Sequence, residues 1–243
     1  MPLKQSEAIV LRSYPLREAD LLVSFFTRAE GKLRGVARSA KKSRRRFGGA
    51  LEPLTTIRLY WEDREREELA RIDSCEVLAS PLSDPVNYPR AAALAHVAEV
   101  LEESLPEREA NDAIFRLSAA VLAGLKCGSI WGPLTYFDLW MVRLTGLLPD
   151  LGNCMVCGSG LDRERAYFHP LSEGLLCVHD KGGTAAELGS ESRQLAKQML
   201  RAPVDCFAEW PRTRAPDLRR FLVQQIERHI EKRLITAAVL AGI

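Results

Sequence analysis

The sequence lacks the motifs that mark several common enzyme classes. It has no Gly-x-x-x-x-Gly-Lys-Ser/Thr phosphate loop, no Gly-x-Ser-x-Gly nucleophile turn and no His-Glu-x-x-His metal-binding helix. No apolar run is long enough to span a membrane, and the N-terminal residues contain no apolar signal core. Six cysteines in 243 residues are too few for a disulfide-stapled secreted module. We therefore expect a cytoplasmic protein without nucleotide-hydrolysing chemistry.

Acidic residues are absent from one long stretch. Residues 31–51 carry eight cations and no carboxylate, although the formal net charge of the chain is only +2. Such segregated charge favours a polyanionic partner, because each cation placed near a phosphate releases a condensed counterion. A solvated loop without a partner is the alternative interpretation. The predicted nucleic-acid-binding residues are Lys32, Arg34, Arg38, Lys41, Lys42, Arg44, Arg45, Arg46 and Phe47.

The first eighty residues alternate like a small β domain. Five short strands separated by turns predict a Greek-key barrel of the oligonucleotide-binding (OB) type. The strands are expected at 7–12, 20–27, 32–38, 54–61 and 69–77, with an acidic turn at 62–68. In the third strand, Lys32, Arg34 and Arg38 share one face, so the basic loop extends a basic strand face. Phe47 is the aromatic residue expected to face the nucleic acid, because it lies inside that loop.

Apolar residues at helical spacing dominate the rest of the chain. Helices are predicted at 90–105, 110–125, 133–148, 190–200 and 216–240. The predicted fold class is therefore α+β and multidomain. We expect an OB domain over 1–80, a helical bundle formed by 81–149 and 185–243, and a zinc-ribbon-like lobe inserted over 150–184.

The inserted lobe lacks one cysteine of a full zinc ribbon. Cys154-Met155-Val156-Cys157-Gly158 has the two-residue spacing that presents two thiolates to a tetrahedral ion. The second half reads Cys177-Val178-His179-Asp180, where a complete ribbon has Cys-x-x-Cys. A structural zinc is predicted, with Asp180 or His179 as the fourth ligand. The alternative is a lobe that has lost its metal and holds its shape by packing.

The order of these parts resembles the RecO family of bacterial DNA repair and recombination mediators. A basic N-terminal barrel, a helical bundle and a Cys-x-x-Cys-Gly lobe between bundle helices follow one another over nearly the whole chain. The segments that carry the resemblance are Glu18-Ala19-Asp20-Leu21-Leu22-Val23-Ser24-Phe25-Phe26-Thr27-Arg28-Ala29-Glu30-Gly31-Lys32, Gly48-Gly49-Ala50-Leu51-Glu52-Pro53, Cys154-Met155-Val156-Cys157-Gly158 and Leu175-Leu176-Cys177.

The resemblance implies a non-enzymatic protein that binds single- and double-stranded DNA and anneals complementary strands without ATP. It also implies two protein partners, RecR and the C-terminal tail of single-stranded DNA-binding protein, and an indirect link to RecA, which is loaded onto coated single strands. No membrane association is expected, and the protein would join the nucleoid when active. The missing fourth cysteine is a departure from the zinc-binding members of the family.

Two other functions fit the same residues. An OB-fold protein that binds RNA would make the same phosphate contacts and differ only in its contacts to the 2′-hydroxyl groups. An adaptor would work mainly through its helical domain, and its basic loop would only aid solubility.

Overall fold

Five strands close into a barrel at the N-terminal end of the chain. The structure, a computed structural model, describes residues 2–63, 68–83, 85–161, 164–170 and 172–243. The strands are β1 (Lys4–Pro15), β2 (Leu21–Thr27), β3 (Gly31–Ala37), β4 (Thr56–Glu62) and β5 (Ala70–Ala79). β1 pairs with β2 and β4, β2 with β3, and β4 with β5, all antiparallel, while a parallel pairing of β3 with β5 closes the barrel. The predicted OB-type barrel is confirmed.

Side-chain alternation places the core inside the barrel. Along β4, Ile57, Leu59 and Trp61 are buried while the residues between them are half-buried, as a period of two requires. Along β3, Leu33 and Ala37 are buried in the same core. This confirms the predicted division of β3 into a core face and a face that carries Lys32 and Arg34. Four residues of the predicted acidic turn, 64–67, lie outside the described residues.

Two short helical turns follow β3. A 3₁₀ turn spans Ala40–Lys42, and α1 spans Arg44–Phe47. The segment then returns to the barrel through Ala50 and Leu51, which are buried in the same core. The basic loop is therefore folded against the barrel over most of its length.

Two longer helices belong to the same compact unit as the barrel, which comprises residues 1–126 and 238–243. α2 spans Tyr88–Ser104 and α3 spans Asp112–Gly124. Both begin at an asparagine whose side-chain oxygen accepts a backbone N–H of the first turn: Asn87 from Arg90 at 2.9 Å, and Asn111 from Ile114 at 3.0 Å. The start of α3 agrees with its sequence prediction.

The second compact unit comprises residues 127–237. It contains α4 (Trp131–Leu144), β6 (Ala166–Phe168), β7 (Ala186–Leu188), α5 (Ser190–Met199), a 3₁₀ turn (Val204–Phe207) and α6 (Pro216–His229). Ten of the fourteen residues of α4 are buried, as expected for a central bundle helix. The predicted boundaries at 80, 149 and 184 divide the chain differently and remain a prediction.

The prediction of one helix over 216–240 is wrong. α6 ends at His229, and α7 begins at Ile235 and ends at Ala241. Glu231 has a φ of 54°, and the Lys232 N–H donates to the carbonyl of Glu227 at 3.1 Å, which is the hydrogen bond of a Schellman C-cap. A left-handed residue other than glycine leaves no mark in a hydrophobic pattern, so the break was not visible there. Within the described ranges, no helix is long and apolar enough to cross a membrane.

Gly31 offers a test of the turn between β2 and β3. Its φ is +73°, and a Cβ at this position would collide with the backbone of Glu109. Gly49 also has a positive φ, +85°, but its Cβ would meet no atom within 4 Å. We predict that Gly49→Ala costs about 1–2 kcal/mol from the left-handed backbone alone, and that Gly31→Ala costs a further 1–3 kcal/mol, roughly, from overpacking. Urea unfolding of both variants measures the difference, and equal losses would contradict it.

Candidate nucleic-acid interface and metal centre

The basic loop exposes most of its cations. Arg38, Lys41, Lys42, Arg44 and Arg45 are all exposed. Among the described residues, only Lys42 of these five has an ion-pair partner, Glu18, at 3.9 Å and with both side chains largely in solvent. Charges this exposed gain little from pairing. The loop therefore presents four cations without a carboxylate partner in the described chain and a fifth, Lys42, whose single ion pair is weak.

Phe47 anchors the loop and does not face solvent. Its side chain is 3% exposed and packs in the barrel core, so the prediction that it contacts nucleic acid disagrees with the structure. The Arg46 guanidinium lies 4.9 Å from the centroid of the Phe47 ring and donates to the Arg38 carbonyl at 2.7 Å. Arg46 therefore holds the two ends of the loop together. A large apolar side chain gains more from burial than from a solvent-exposed position, whatever the charge of its neighbours.

The cations on the β3 face are engaged by the chain at and after the end of α2. The Lys32 ammonium donates to the Glu102 carbonyl at 2.6 Å, and the residue is 6% exposed. Arg34 lies 3.2 Å from the Glu107 carboxylate and 3.9 Å from that of Glu102, which also accepts the Ser24 hydroxyl at 2.6 Å. Lys32 is consequently covered, and Arg34 is half exposed but paired. The predicted continuous basic strand face is thus occupied by the protein itself.

The second candidate site lies between two tight turns of the lobe. The Gly158 N–H donates to the Cys154 carbonyl at 2.9 Å, and Gly158 has a φ of +71°, a conformation that glycine adopts without strain. In the facing turn, the Asp180 N–H donates to the Cys177 carbonyl at 3.3 Å. Each turn brings its first and fourth residues to the same side, and these four residues meet.

Four donor atoms converge there. The sulfurs of Cys154, Cys157 and Cys177 and a carboxylate oxygen of Asp180 all lie within 4.8 Å of one another. Asp180 Oδ2 is 3.2 Å from Cys154 Sγ and 3.1 Å from Cys177 Sγ, and the sulfurs of Cys157 and Cys177 are 3.8 Å apart. Two thiolates at tetrahedral angles on one zinc ion are also about 3.8 Å apart, given a Zn–S bond of about 2.3 Å. The four residues therefore lie close enough to hold a metal ion.

Asp180, and not His179, completes this cluster. His179 is exposed and is not one of the four grouped residues. Hydrogen bonds from the thiols of Cys157, Cys177 and Cys154 lower the pKa of the Asp180 carboxyl. The hydrogen bond to Asp180, together with burial, raises the pKa of the Cys177 thiol to about 11. A metal that binds here must therefore displace protons from the sulfurs.

Cys154 differs from Cys177 because three backbone amides lower the pKa of its thiol, against two for Cys177, and because the hydrogen bond to Asp180 is the largest cause only for Cys177. Burial by itself raises the pKa of the Cys154 thiol. The N–H groups of Cys157, Cys177 and Val156 point at the sulfur and lower this pKa, so that it lies below its usual value. The Cys177 N–H lies 3.3 Å from Cys154 Sγ. Amides aimed at sulfur stabilise a thiolate, which is the form that binds metal.

Comparison with known proteins agrees with these features along the whole chain. Residues 1–81 match the family model described as "Recombination protein O N terminal", and residues 86–236 match "Recombination protein O C terminal". The chain is 66% identical over 240 residues to a "DNA repair protein RecO" of Koribacter versatilis, covering 98% of both chains. The chain belongs to the RecO family of DNA repair proteins.

More distant RecO relatives align over most of their length. The protein of the same name from Syntrophotalea carbinolica is 30% identical over 209 residues, which cover 83% of this chain and 79% of the relative. That of Anaeromyxobacter sp. strain Fw109-5 is 30% identical over 233 residues, covering 93% and 91%. The resemblance inferred from the barrel and cysteine motifs is therefore confirmed, and the OB-type N-terminal barrel agrees with it.

Two cations near the basic loop were missed by the sequence reasoning. Arg17 lies between β1 and β2, and Arg71 lies near the start of β5, yet both line a cleft with Arg38. They are 54 residues apart in the sequence, and each lies outside the cation-rich segment. Only the parallel pairing of β3 with β5 brings Arg71 next to that segment.

Removing the Phe47 ring tests how the basic loop is anchored. We predict that Phe47→Ala lowers the free energy of unfolding by about 3–5 kcal/mol, because it leaves a cavity in the barrel core. Arg45→Ala, a change two residues away on the exposed side of the loop, is the control and should leave the unfolding midpoint unchanged. Urea denaturation followed by circular dichroism measures both. An unchanged midpoint for Phe47→Ala would mean that the ring is not in the core.

Proposed function

We propose that this RecO-family protein binds single- and double-stranded DNA through the exposed cations of its basic loop and anneals complementary strands. The observation that carries the proposal is the group of five exposed cations, Arg38, Lys41, Lys42, Arg44 and Arg45, with a single weak ion pair among the described residues. Cations in this state remain available to phosphates. Lys32 and Arg34, which the sequence reasoning included, are left out because the protein already engages them.

The proposed mechanism is electrostatic and needs no catalytic group. Loop cations contact phosphates and do not read base edges, so binding has no sequence preference. When two strands are bound near one another, the cations reduce the repulsion between their backbones and raise the local concentration of each strand. These two effects favour pairing of complementary strands without ATP.

Family membership supports the wider role that we propose. The protein would act as a mediator in DNA repair and recombination, in the cytoplasm and at the nucleoid when active. Its proposed partners are RecR and the C-terminal tail of single-stranded DNA-binding protein, and it would help to load RecA onto strands coated by that protein. The DNA-repair role itself follows from the family.

Salt-dependent binding tests the proposed DNA site. If about six cations contact a single strand, the logarithm of the association constant falls with the logarithm of the salt concentration at a slope of about −4. Changing Lys41, Lys42, Arg44 and Arg45 together to Ala should make this slope shallower by about 3. Arg46 is kept because it ties the loop together. Fluorescence anisotropy of a labelled single-stranded oligonucleotide measures the slopes.

The matched control keeps the charge and changes the residues: Lys41→Arg, Lys42→Arg, Arg44→Lys and Arg45→Lys together. It should retain the slope of the unaltered protein. Equal binding by the four-alanine variant would contradict the loop assignment and favour a site in the helical unit. An RNA of the same sequence that binds more than about twofold tighter than DNA would favour the RNA-binding alternative. An absence of binding by the unaltered protein would favour the adaptor.

We also propose that the cysteine cluster holds a structural zinc ion. Cys154, Cys157, Cys177 and Asp180 would be its four ligands, which leaves no open position for water and thus no catalytic role. A bound zinc would cross-link the two turns of the lobe. The separations between the sulfurs and the carboxylate support this donor set, and the amides aimed at Cys154 favour its thiolate form.

Two neighbouring substitutions distinguish the possible fourth ligands. We predict that Asp180→Asn weakens zinc binding at least about tenfold, because loss of a ligand exceeds the effect of losing an outer-shell partner. His179→Ala is the matched control and should leave the affinity unchanged. Competition with a chromophoric zinc chelator measures both, and circular dichroism checks that each variant is folded. A loss of zinc affinity in His179→Ala and not in Asp180→Asn would make His179 the ligand. If the unaltered protein did not bind zinc, the lobe would be stabilised by packing alone.

A further inference from the structure

A small cleft opens on the barrel beside the basic loop. Its volume is about 130 Å³, and it lies where the turn between β1 and β2 meets the end of β3 and the start of β5. Three arginines from these three segments line it: Arg17, Arg38 and Arg71. Val36 of β3 also lines the cleft and is paired with Arg71 in the parallel ladder. The fold therefore brings together three cations that are far apart in the sequence.

The charges of the cleft favour an anion. Within the described chain, Arg17 and Arg38 have no ion-pair partner, and Arg71 is 3.6 Å from Glu62 at the surface. Asp20 is the one carboxylate among the described residues that line the cleft. One of its oxygens already accepts the Ser39 N–H at 2.8 Å. Arginine side chains that line a small space can hold a phosphate through several charge-assisted hydrogen bonds.

Apolar side chains also line the cleft. Leu16 lines it and is 45% exposed, and Leu69 lines it and is half-buried. A free phosphate would make no apolar contact with these side chains, but a nucleotide carries a sugar and a base next to its phosphate. The volume is well below the roughly 300–1,000 Å³ of sites that enclose a whole drug-sized ligand. A cleft of this size can hold part of one nucleotide.

The cleft is joined to the basic loop by backbone hydrogen bonds. The Leu16 N–H donates to the Asp20 carbonyl at 3.1 Å, which closes the turn between β1 and β2. The Lys41 N–H donates to the Ala19 carbonyl, also at 3.1 Å. With the Ser39 contact to Asp20, these bonds fix the start of the loop against one wall of the cleft. A strand that lies along the loop therefore passes the cleft.

We propose that this cleft takes one nucleotide of an unpaired DNA strand, with its phosphate among the three arginines and its base or sugar against Leu16. This inference rests on the proposed function and adds a source of strand preference. The bases of a duplex are paired and stacked inside the helix, so none can enter the cleft without first losing its pairing and stacking. Single strands would then gain from the cleft and the loop, whereas duplexes would gain mainly from the loop.

Two variants separate charge from shape in a salt series with a labelled single strand and a labelled duplex. Arg17→Ala combined with Arg71→Ala should make the single-strand slope shallower by about 1.4, the share of two phosphate contacts, and should lower the ratio of single-strand to duplex affinity. Leu16→Ala should lower single-strand affinity about three- to tenfold with an unchanged slope, because it removes apolar contact and no charge. Duplex affinity should be unchanged by Leu16→Ala.

The control removes the same charge elsewhere in this compact unit. Arg58 is half-buried and paired with Glu76, and Arg116 is exposed and paired with Asp112. Changing both to Ala should leave the affinity ratio unchanged. Equal losses for single strand and duplex in the cleft variants, or no loss in either, would overturn the proposal. The proposed function fails separately, since its failure requires that the four-alanine loop variant bind like the unaltered protein.

Discussion

The burial of Phe47 in the barrel core fixes where the positive charge of this protein lies. A run of cations without acids repels itself and gains nothing from ordering, so by itself it would remain a mobile segment. The ring of Phe47 and the neighbouring Ala50 and Leu51 gain apolar burial in the barrel, and this burial holds the segment against the strands. Arg46 then joins the loop end to end through the Arg38 carbonyl. The remaining cations are displayed on an ordered surface.

The same packing decides which cations remain available. Lys32 and Arg34 lie on the outer face of β3, as their parity in the strand requires. Carbonyl and carboxylate oxygens at and after the end of α2 accept hydrogen bonds from Lys32 and form ion pairs with Arg34. Glu102 accepts from Ser24 and supplies its carbonyl to Lys32. The cations left available for the proposed DNA binding are therefore those of the loop and of the cleft beside it. The division of roles between cations only a few residues apart is set by tertiary contacts.

The sequence predicts those features that depend on local pattern. Strand alternation identifies the barrel and the inward face of β3, and Asn111 marks the start of α3. Other features depend on contacts between distant segments. Nothing in the sequence near Lys32 reveals Glu102, 70 residues away, and the pairing of β3 with β5 that brings Arg71 to Arg38 is a matter of barrel closure. The cations around Phe47 predicted an exposed ring, but the free energy gained by burying the ring in the barrel core decides its position. In the lobe, spacing supplied the three cysteine ligands but left the fourth open between Asp180 and His179, because that choice depends on the direction each side chain takes.

The central claim is that the loop cations, and not those of the strand face, meet the nucleic acid. Lysine acetylation read by mass spectrometry, with and without a single-stranded oligonucleotide at low salt, tests it directly. The account predicts that Lys41 and Lys42 react in the free protein and are protected when the oligonucleotide is bound, whereas Lys32 reacts in neither state because it is 6% exposed. Equal acetylation of Lys41 and Lys42 in both states, with the oligonucleotide shown to be bound, would contradict the account.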